Sequence, residues 1–169
     1  MNYFSQETER LILRKLTEAD IPVWAEFFVD NPNARFIGLD LKKDNHELAT
    51  IWLDRQFERY NTNQFGQLAA IEKATGNFVG LGGILTRELD NQPAFEISYS
   101  MLPAYWGKGY ATELAMHMKR FGLENGVSDK FISIIHRENI LSMNVALKNG
   151  MKKLRESSFQ GMEVFIFGD

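Results

Sequence analysis

The sequence predicts a mixed α/β (α+β) fold in which helices pack on a mostly antiparallel sheet. Three observations lead there. Strand-like and helix-like stretches do not alternate strictly but run in the order β-α-α-β-β-β-α-β-α-β-β. A turn sequence, "ATGN", links two apolar runs as a hairpin. Between Leu102 and Lys130 the chain reads strand, helix, strand, which implies one parallel pair joined by a right-handed crossover.

Each element has its own signal. "RLILRKL", Arg10 to Leu16, interleaves apolar residues with charge and reads as a first strand. Thr17 with Asp20 three positions on resembles a capping box that opens a helix, and Trp24, Phe27 and Phe28 recur at helical spacing behind it. That face is read as core. "DNHE", Asp44 to Glu47, starts a second helix with an apolar stripe at Leu48, Ile51, Trp52 and Phe57. The hairpin pairs "QLAAIEK", Gln67 to Lys73, with "FVGLGGIL", Phe78 to Leu85, through a turn in which Gly76 takes positive φ; three glycines loosen the second strand. "AFEISYSML", Ala94 to Leu102, is extended. A helix from about Ala111 to Glu124 presents Leu114, Met118 and Phe121 on one face and stops at Gly126. "KFISIIH", Lys130 to His136, is a strand, "SMNVALKNG", Ser142 to Gly150, a short helix, and the tail a final hairpin.

Composition narrows the function. No Pro/Gly/Ser linker divides the 169 residues, so residues 1–169 are read as one domain. A net charge of −3 argues against nucleic acid as the main partner. With no cysteine there is no disulfide, no thiolate zinc site and no cysteine nucleophile. His46, His117 and His136 lack metal-ligand spacing, so no metal is expected. His117 is placed on the exposed face of its helix, and His136 is given a packing or loop role. No run nears the ~18 apolar residues that span a bilayer, and the first residues lack an apolar signal core. The expectation is a cytoplasmic protein without membrane contact.

The most informative stretch is "PAYWGKGYATE", Pro103 to Glu113, where a glycine turn leads into a helix. Gly107 and Gly109 let a ligand approach the main chain. The first amides of the helix have no intrahelical partner and sit at the positive end of its dipole, which together make an anion site. Lys108 adds a point charge, and a pyrophosphate suits such a cup. The Walker A pattern is absent. The dinucleotide fingerprint also fails, because Thr112 stands at its third glycine and the next strand ends near His136 rather than at an acid.

Four segments in order carry a family resemblance: "ETERLILRKLTEAD", "ATGNFVGLGGI", "FEISYSMLPAYWGKGYATE" and "ENILSMNVALKNGMKKL". The chain resembles the GNAT superfamily of acetyl-CoA-dependent N-acetyltransferases along nearly its whole length. It is most similar to the branch of ribosomal-protein N-terminal (alanine/serine) acetyltransferases. In that superfamily's loop pattern, Gln/Arg-x-x-Gly-x-Gly/Ala, Gly109 and Ala111 hold the last two places and Trp106 the first. The resemblance implies a GNAT fold whose central sheet has one splayed parallel pair. It implies acetyl-CoA as co-substrate, with the main chain of Gly107, Lys108, Gly109, Tyr110, Ala111 and Thr112 on its pyrophosphate. Met101 and Leu102 would pair with the pantetheine arm, and Asn139 would hydrogen-bond near it.

The implied reaction is attack of a neutral amine on a thioester. It needs a free lone pair, a stabilised oxyanion and a proton for the leaving thiolate. Without cysteine, direct transfer in a ternary complex is expected. Glu96, inside the apolar strand "FEISY", reads either as the base or as a structural glutamate. The family's usual tyrosine acid is replaced by Ala146, so Ser142 is the first candidate donor, with helix capping as its other reading and Tyr99 and Tyr105 as alternatives. An amide near Met101 would hold the oxyanion. The acceptor is a primary amine, first a protein N-terminus. The alternatives are a small amine (polyamine, amino acid or aminoglycoside), or a non-catalytic acyl-CoA sensor. Asp40, Asp44 and Glu47 in the loop between the first two helices are offset by Lys42 and Lys43 and read as a solvated surface. The strand edges of the last hairpin leave a homodimer open.

Overall fold

The computed structural model describes residues 2–169. Its strands are β1 (Ser5–Glu7), β2 (Leu11–Lys15), β3 (Gln67–Glu72), β4 (Phe78–Leu89), β5 (Gln92–Met101), β6 (Ile132–His136), β7 (Lys152–Phe159) and β8 (Met162–Gly168). The α-helices are α1 (Ile21–Trp24), α2 (Asn45–Asn61), α3 (Tyr110–Glu124) and α4 (Ile140–Lys148). The eight strands form one sheet in the order β1-β2-β3-β4-β5-β6-β8-β7. All pairings are antiparallel except β5 with β6, the pair expected from the crossover.

Apolar side chains on both faces of the sheet explain the layering. On one face Ile84, Ile97 and Met101 meet Leu114 and Met118 of α3 and Ala146 of α4. On the other, Ala69 and Leu81 meet an aromatic cluster in which Trp24 stacks on Phe27 (4.7 Å) and meets Trp52 edge-on (5.1 Å). The aromatic face read from the sequence is therefore core. The glycines of β4 are sites of close packing rather than of looseness. A Cβ on Gly82 would stand 2.7 Å from Leu114 Cδ2, so its absence lets α3 lie close to the sheet.

The first expected helix is broken into pieces. Asp20 does reach back to the Thr17 N–H (2.8 Å), but the chain then runs through a 3₁₀ turn, the single turn of α1 and a second 3₁₀ turn over Ala25–Phe28. Crowded β-branched and aromatic residues in "IPVWAEFFV" have little helix propensity, and tertiary packing sets the path instead. α2 starts as expected, with Asp44 Oδ1 accepting the Glu47 N–H at 2.9 Å. The short helix starts two residues earlier than read, at Ile140, because Asn139 caps it by accepting the Ser142 N–H (3.2 Å). Ser142 therefore does not cap it.

The geometry that matters lies between β5 and β6. Their Cα register is a single pair, Glu96 with Ile132. Ser133 Oγ donates to Ile97 O at 2.8 Å, and beyond that the strands part. α4 fills the far side of the gap, where the Tyr99 hydroxyl donates to Ser142 O at 2.8 Å. Among the described residues no helix is long and apolar enough to cross a membrane.

Candidate functional site

The register of β4 and β5 fixes which main-chain groups face the gap. Leu102 N–H donates to Val79 O at 2.9 Å, so the paired residues Gly80 and Met101 form a non-hydrogen-bonded pair. The N–H and C=O of Met101 therefore point away from β4, toward the opening. Trp106 Nε1–H donates to Met101 O at 2.8 Å, which leaves the Met101 N–H free to meet a ligand. Leu102 is placed differently from Met101. Its N–H is spent on Val79 and its side chain is buried in the aromatic core, so it cannot pair with an extended ligand through that amide.

Below Met101 the chain turns into the loop that the sequence singled out. Gly107 and Gly109 have φ of 76° and 82°, a region that glycine adopts without strain. The first helical bond of α3 runs from Glu113 N–H to Gly109 O. Among the described residues the N–H groups from Gly107 to Thr112 have no acceptor within the chain. A Cβ built on Gly107 would meet nothing within 4 Å, so the loop is open on its outer side. Unpartnered amides at a helix start, beside open space, fit a diphosphate. They line a cavity of about 300 Å³ with Met101, Asn139 and Ser142. Lys108 does not line it; its ammonium stands over the Tyr105 ring at 5.2 Å. Tyr110 contributes only its amide, because its hydroxyl is turned to Glu72.

A clamp that sequence reading missed holds this loop in place. Glu113 accepts from Thr8 Oγ1 (2.5 Å), from Arg10 N–H (2.8 Å) and from Arg10 Nε (2.6 Å). Arg10 Nη1 then donates to Lys108 O at 2.8 Å, and the guanidinium covers the Tyr110 ring at 4.3 Å. Burial pushes the Glu113 carboxyl up. The Thr8 and Arg10 hydrogen bonds outweigh that and hold it below the usual range, so it stays ionised. The only sequence signal was charge at Arg10 and Glu113, and nothing in it joins two residues so far apart in the chain. Arg10→Met is expected to raise the Kd for coenzyme A about tenfold by loosening the loop, the cost of about one charge-assisted hydrogen bond. Calorimetry checks it.

A second cavity, of about 160 Å³, opens on the opposite side of the gap and shares Tyr99, Ser100, Asn139 and Ser142 with the first. Tyr99 is the phenol that lines both. Burial pushes that phenol up to about 12. It accepts from Ser142 Oγ at 3.4 Å while donating to Ser142 O. Glu96 lines the second cavity and is buried. Its Oε2 accepts from Arg87 Nε at 2.6 Å, a diagonal contact across β4 and β5.

Other expected residues fall elsewhere. His117 is half-buried rather than exposed, with Nε2 2.8 Å from Gln6 Oε1, and burial lowers its pKa. His136 packs on the Phe36 ring at 4.6 Å, at the wall of the second cavity. Asp40 accepts from the Lys42 N–H (3.1 Å) and Glu47 pairs with Lys43 (3.1 Å). With Asp44 serving as a cap, none of the three reaches the cavities.

Comparison with known proteins agrees with this arrangement. The family description "Acetyltransferase (GNAT) domain" matches residues 10–152. Protein YkkB of Bacillus subtilis (strain 168) is 30% identical over 146 residues, which cover 85% of this chain and 83% of the relative. A ribosomal L7/L12 alpha-N-protein acetyltransferase, RimL, solved in complex with coenzyme A, superposes with a TM-score of 0.74 at 14% identity, covering 96% of this chain and 94% of that one. A spermidine N-acetyltransferase chimera from Vibrio cholerae and hSSAT superposes with a TM-score of 0.71 at 14% identity, covering 95% of each chain. The structural likenesses speak for the fold, and the family match for the chemistry: the chain belongs to the GNAT acetyltransferases and is an acetyl-CoA-dependent N-acetyltransferase.

Proposed function

We propose that the acceptor is an α-amine, first that of a protein or peptide N-terminus, and that it reaches the thioester through the second cavity. The observation that carries this is the Arg87–Glu96 ion pair. Among the described residues Glu96 is the only carboxylate lining that cavity, and one of its oxygens is committed to a guanidinium. Such a wall neither attracts a polycation nor readily strips a proton from a strongly basic amine. An α-amine has a pKa of about 7.7–8.0, so a good fraction is neutral at cellular pH. A lysine-like amine near ~10.4 is disfavoured by a further ~3–4 kcal/mol at about 1.36 kcal/mol per unit.

Position supports the following roles. The amides from Gly107 to Thr112 hold the diphosphate of the co-substrate, and Asn139 and the free Met101 N–H border the path of its acyl arm. The Met101 N–H meets the oxyanion as the amine adds. Glu96 takes the proton released from the attacking nitrogen, through water and its second oxygen. The Tyr99 hydroxyl turns its one proton from Ser142 O to the departing sulfur and donates a hydrogen bond there. A phenol pushed up to about 12 is a weaker acid than an ordinary tyrosine, so it stabilises the thiolate rather than surrendering its proton. Ser142 Oγ, which donates to Tyr99, supports that phenol and is the second candidate donor.

The test is acetyl transfer from labelled acetyl-CoA to a panel of peptides, free amino acids, aminoglycosides and spermidine. Robust transfer to peptide α-amines is expected. Transfer to spermidine with none to any α-amine contradicts the reading, and tight acetyl-CoA binding without any transfer favours a sensor.

A further inference from the structure

We propose that the acceptor carries a carboxylate as well as its amine, and that Arg59 binds that carboxylate in a pocket continuous with the acceptor cavity. This rests on the α-amine reading above and adds a substrate class to it. The pocket measures about 410 Å³ and lies between α2 and β4. It shares Trp52, Gln67, Leu85 and Arg87 with the cavity that holds Glu96, so a single extended molecule can occupy both.

Its charge is unbalanced. Arg55, Arg59 and Arg87 line it, against one carboxylate, Glu58, which is exposed. Arg87 is satisfied by Glu96. Among the described residues Arg59 has no carboxylate within ion-pair distance. Among the described residues its side chain makes one hydrogen bond, a long one, from Nη1 to Thr86 O at 3.4 Å. A guanidinium carries five N–H donors in a planar fork that matches a carboxylate, so most of its capacity is unspent. Burial, and then the neighbouring charge of Arg87, lower its pKa, and the opposing pull of Glu96, Tyr3 and Glu58 does not restore it. Charged side chains are rarely withdrawn from water unpaired. Here the partner is supplied from outside, by the acceptor. A cationic acceptor would meet Arg59 and Arg87 as like charges.

The free acid of an amino acid and an acidic side chain near a peptide N-terminus both offer this chemistry. The experiment separates them. Acetyl transfer is measured with three tetrapeptide amides that differ only in Glu, Gln or Lys at the second position, and with free glutamate. The Glu peptide is expected to exceed the Gln peptide in kcat/KM about 10–100-fold, the span of a hydrogen-bonded charge pair, with the Lys peptide poorest. In Arg59→Gln the Glu-to-Gln ratio falls to about one, mainly through KM, while the Kd for acetyl-CoA is unchanged. The variant without ligand is expected to melt no lower than the wild type, because it loses an unpaired half-buried cation; a large drop in Tm would mark Arg59 as structural and overturn the proposal. Equal turnover of the Glu and Gln peptides by the wild type overturns it too, while leaving the α-amine reading intact. Turnover of free glutamate alone keeps the Arg59 site and overturns the N-terminal peptide acceptor. Transfer to none of these acceptors, with acetyl-CoA still bound, overturns both.

Discussion

Tyr99→Phe is expected to lower kcat for acetyl transfer by about 10²–10³-fold, the cost of deleting the donor proposed to face charge that develops in the transition state. The Kd for coenzyme A is expected to stay within a factor of about two, because the amides from Gly107 to Thr112 proposed to hold it are untouched. Steady-state kinetics with a peptide acceptor, beside calorimetry, check both halves. Tyr99 lines both cavities, and among the described residues no other phenol or thiol does. Ser142→Ala, which removes only the group behind Tyr99, is expected to cost about tenfold or less. A reversed ranking would return the donor role to Ser142. The pH profile offers a second check. A phenol held near 12 stays protonated through the neutral and mildly alkaline range, so kcat rises with amine deprotonation and then holds level. A fall near pH ~10 that disappears in Tyr99→Phe would mean that the hydroxyl titrates as an ordinary tyrosine.

The second large effect concerns Glu96. Glu96→Gln is expected to reduce kcat about 100-fold, at the lower end of the usual range for acid–base catalysis, because the proton travels through water to a carboxylate already shared with Arg87. Stability must be read separately. Removing one partner of a buried ion pair costs roughly 3–5 kcal/mol when the other is left uncompensated. The Arg87 side chain is 21% exposed, so the lower end applies. The double variant Arg87→Met, Glu96→Gln removes both charges and recovers most of that stability. If activity returns along with stability, Glu96 was structural; if stability returns alone, it acts on the proton.

Much of the fold was written locally. The Asp44 cap, the turn at Gly76 and the glycine loop before α3 each depend on a few adjacent residues, and each is found where the sequence places it. β1 was invisible because three residues at a sheet edge carry no period. The broken first helix was misread because apolar spacing cannot tell a regular helix from successive tight turns around one aromatic cluster. The site divides in the same way. The amide cup was legible, because a helix start needs only its own residues to bind an anion. The Arg87–Glu96 pair depends on a strand register, the Arg10–Glu113 clamp on a contact 103 residues apart in sequence, and the lone position of Arg59 on what α2 packs against. Tyr99 was in view as a strand residue. That its hydroxyl reaches α4 depends on the point where β5 and β6 part, which no local pattern encodes.

All of these roles presuppose that main-chain donors at the start of α3 grip a diphosphate and so aim the thioester at the Tyr99 junction. Titration calorimetry with coenzyme A and with pantetheine, which has the same arm but no diphosphate, tests this directly. Clear heat with coenzyme A and affinity for pantetheine weaker by at least about 100-fold, the worth of two or so charge-assisted hydrogen bonds, is the predicted result. Equal affinity for the two, or no heat with coenzyme A at all, would contradict it.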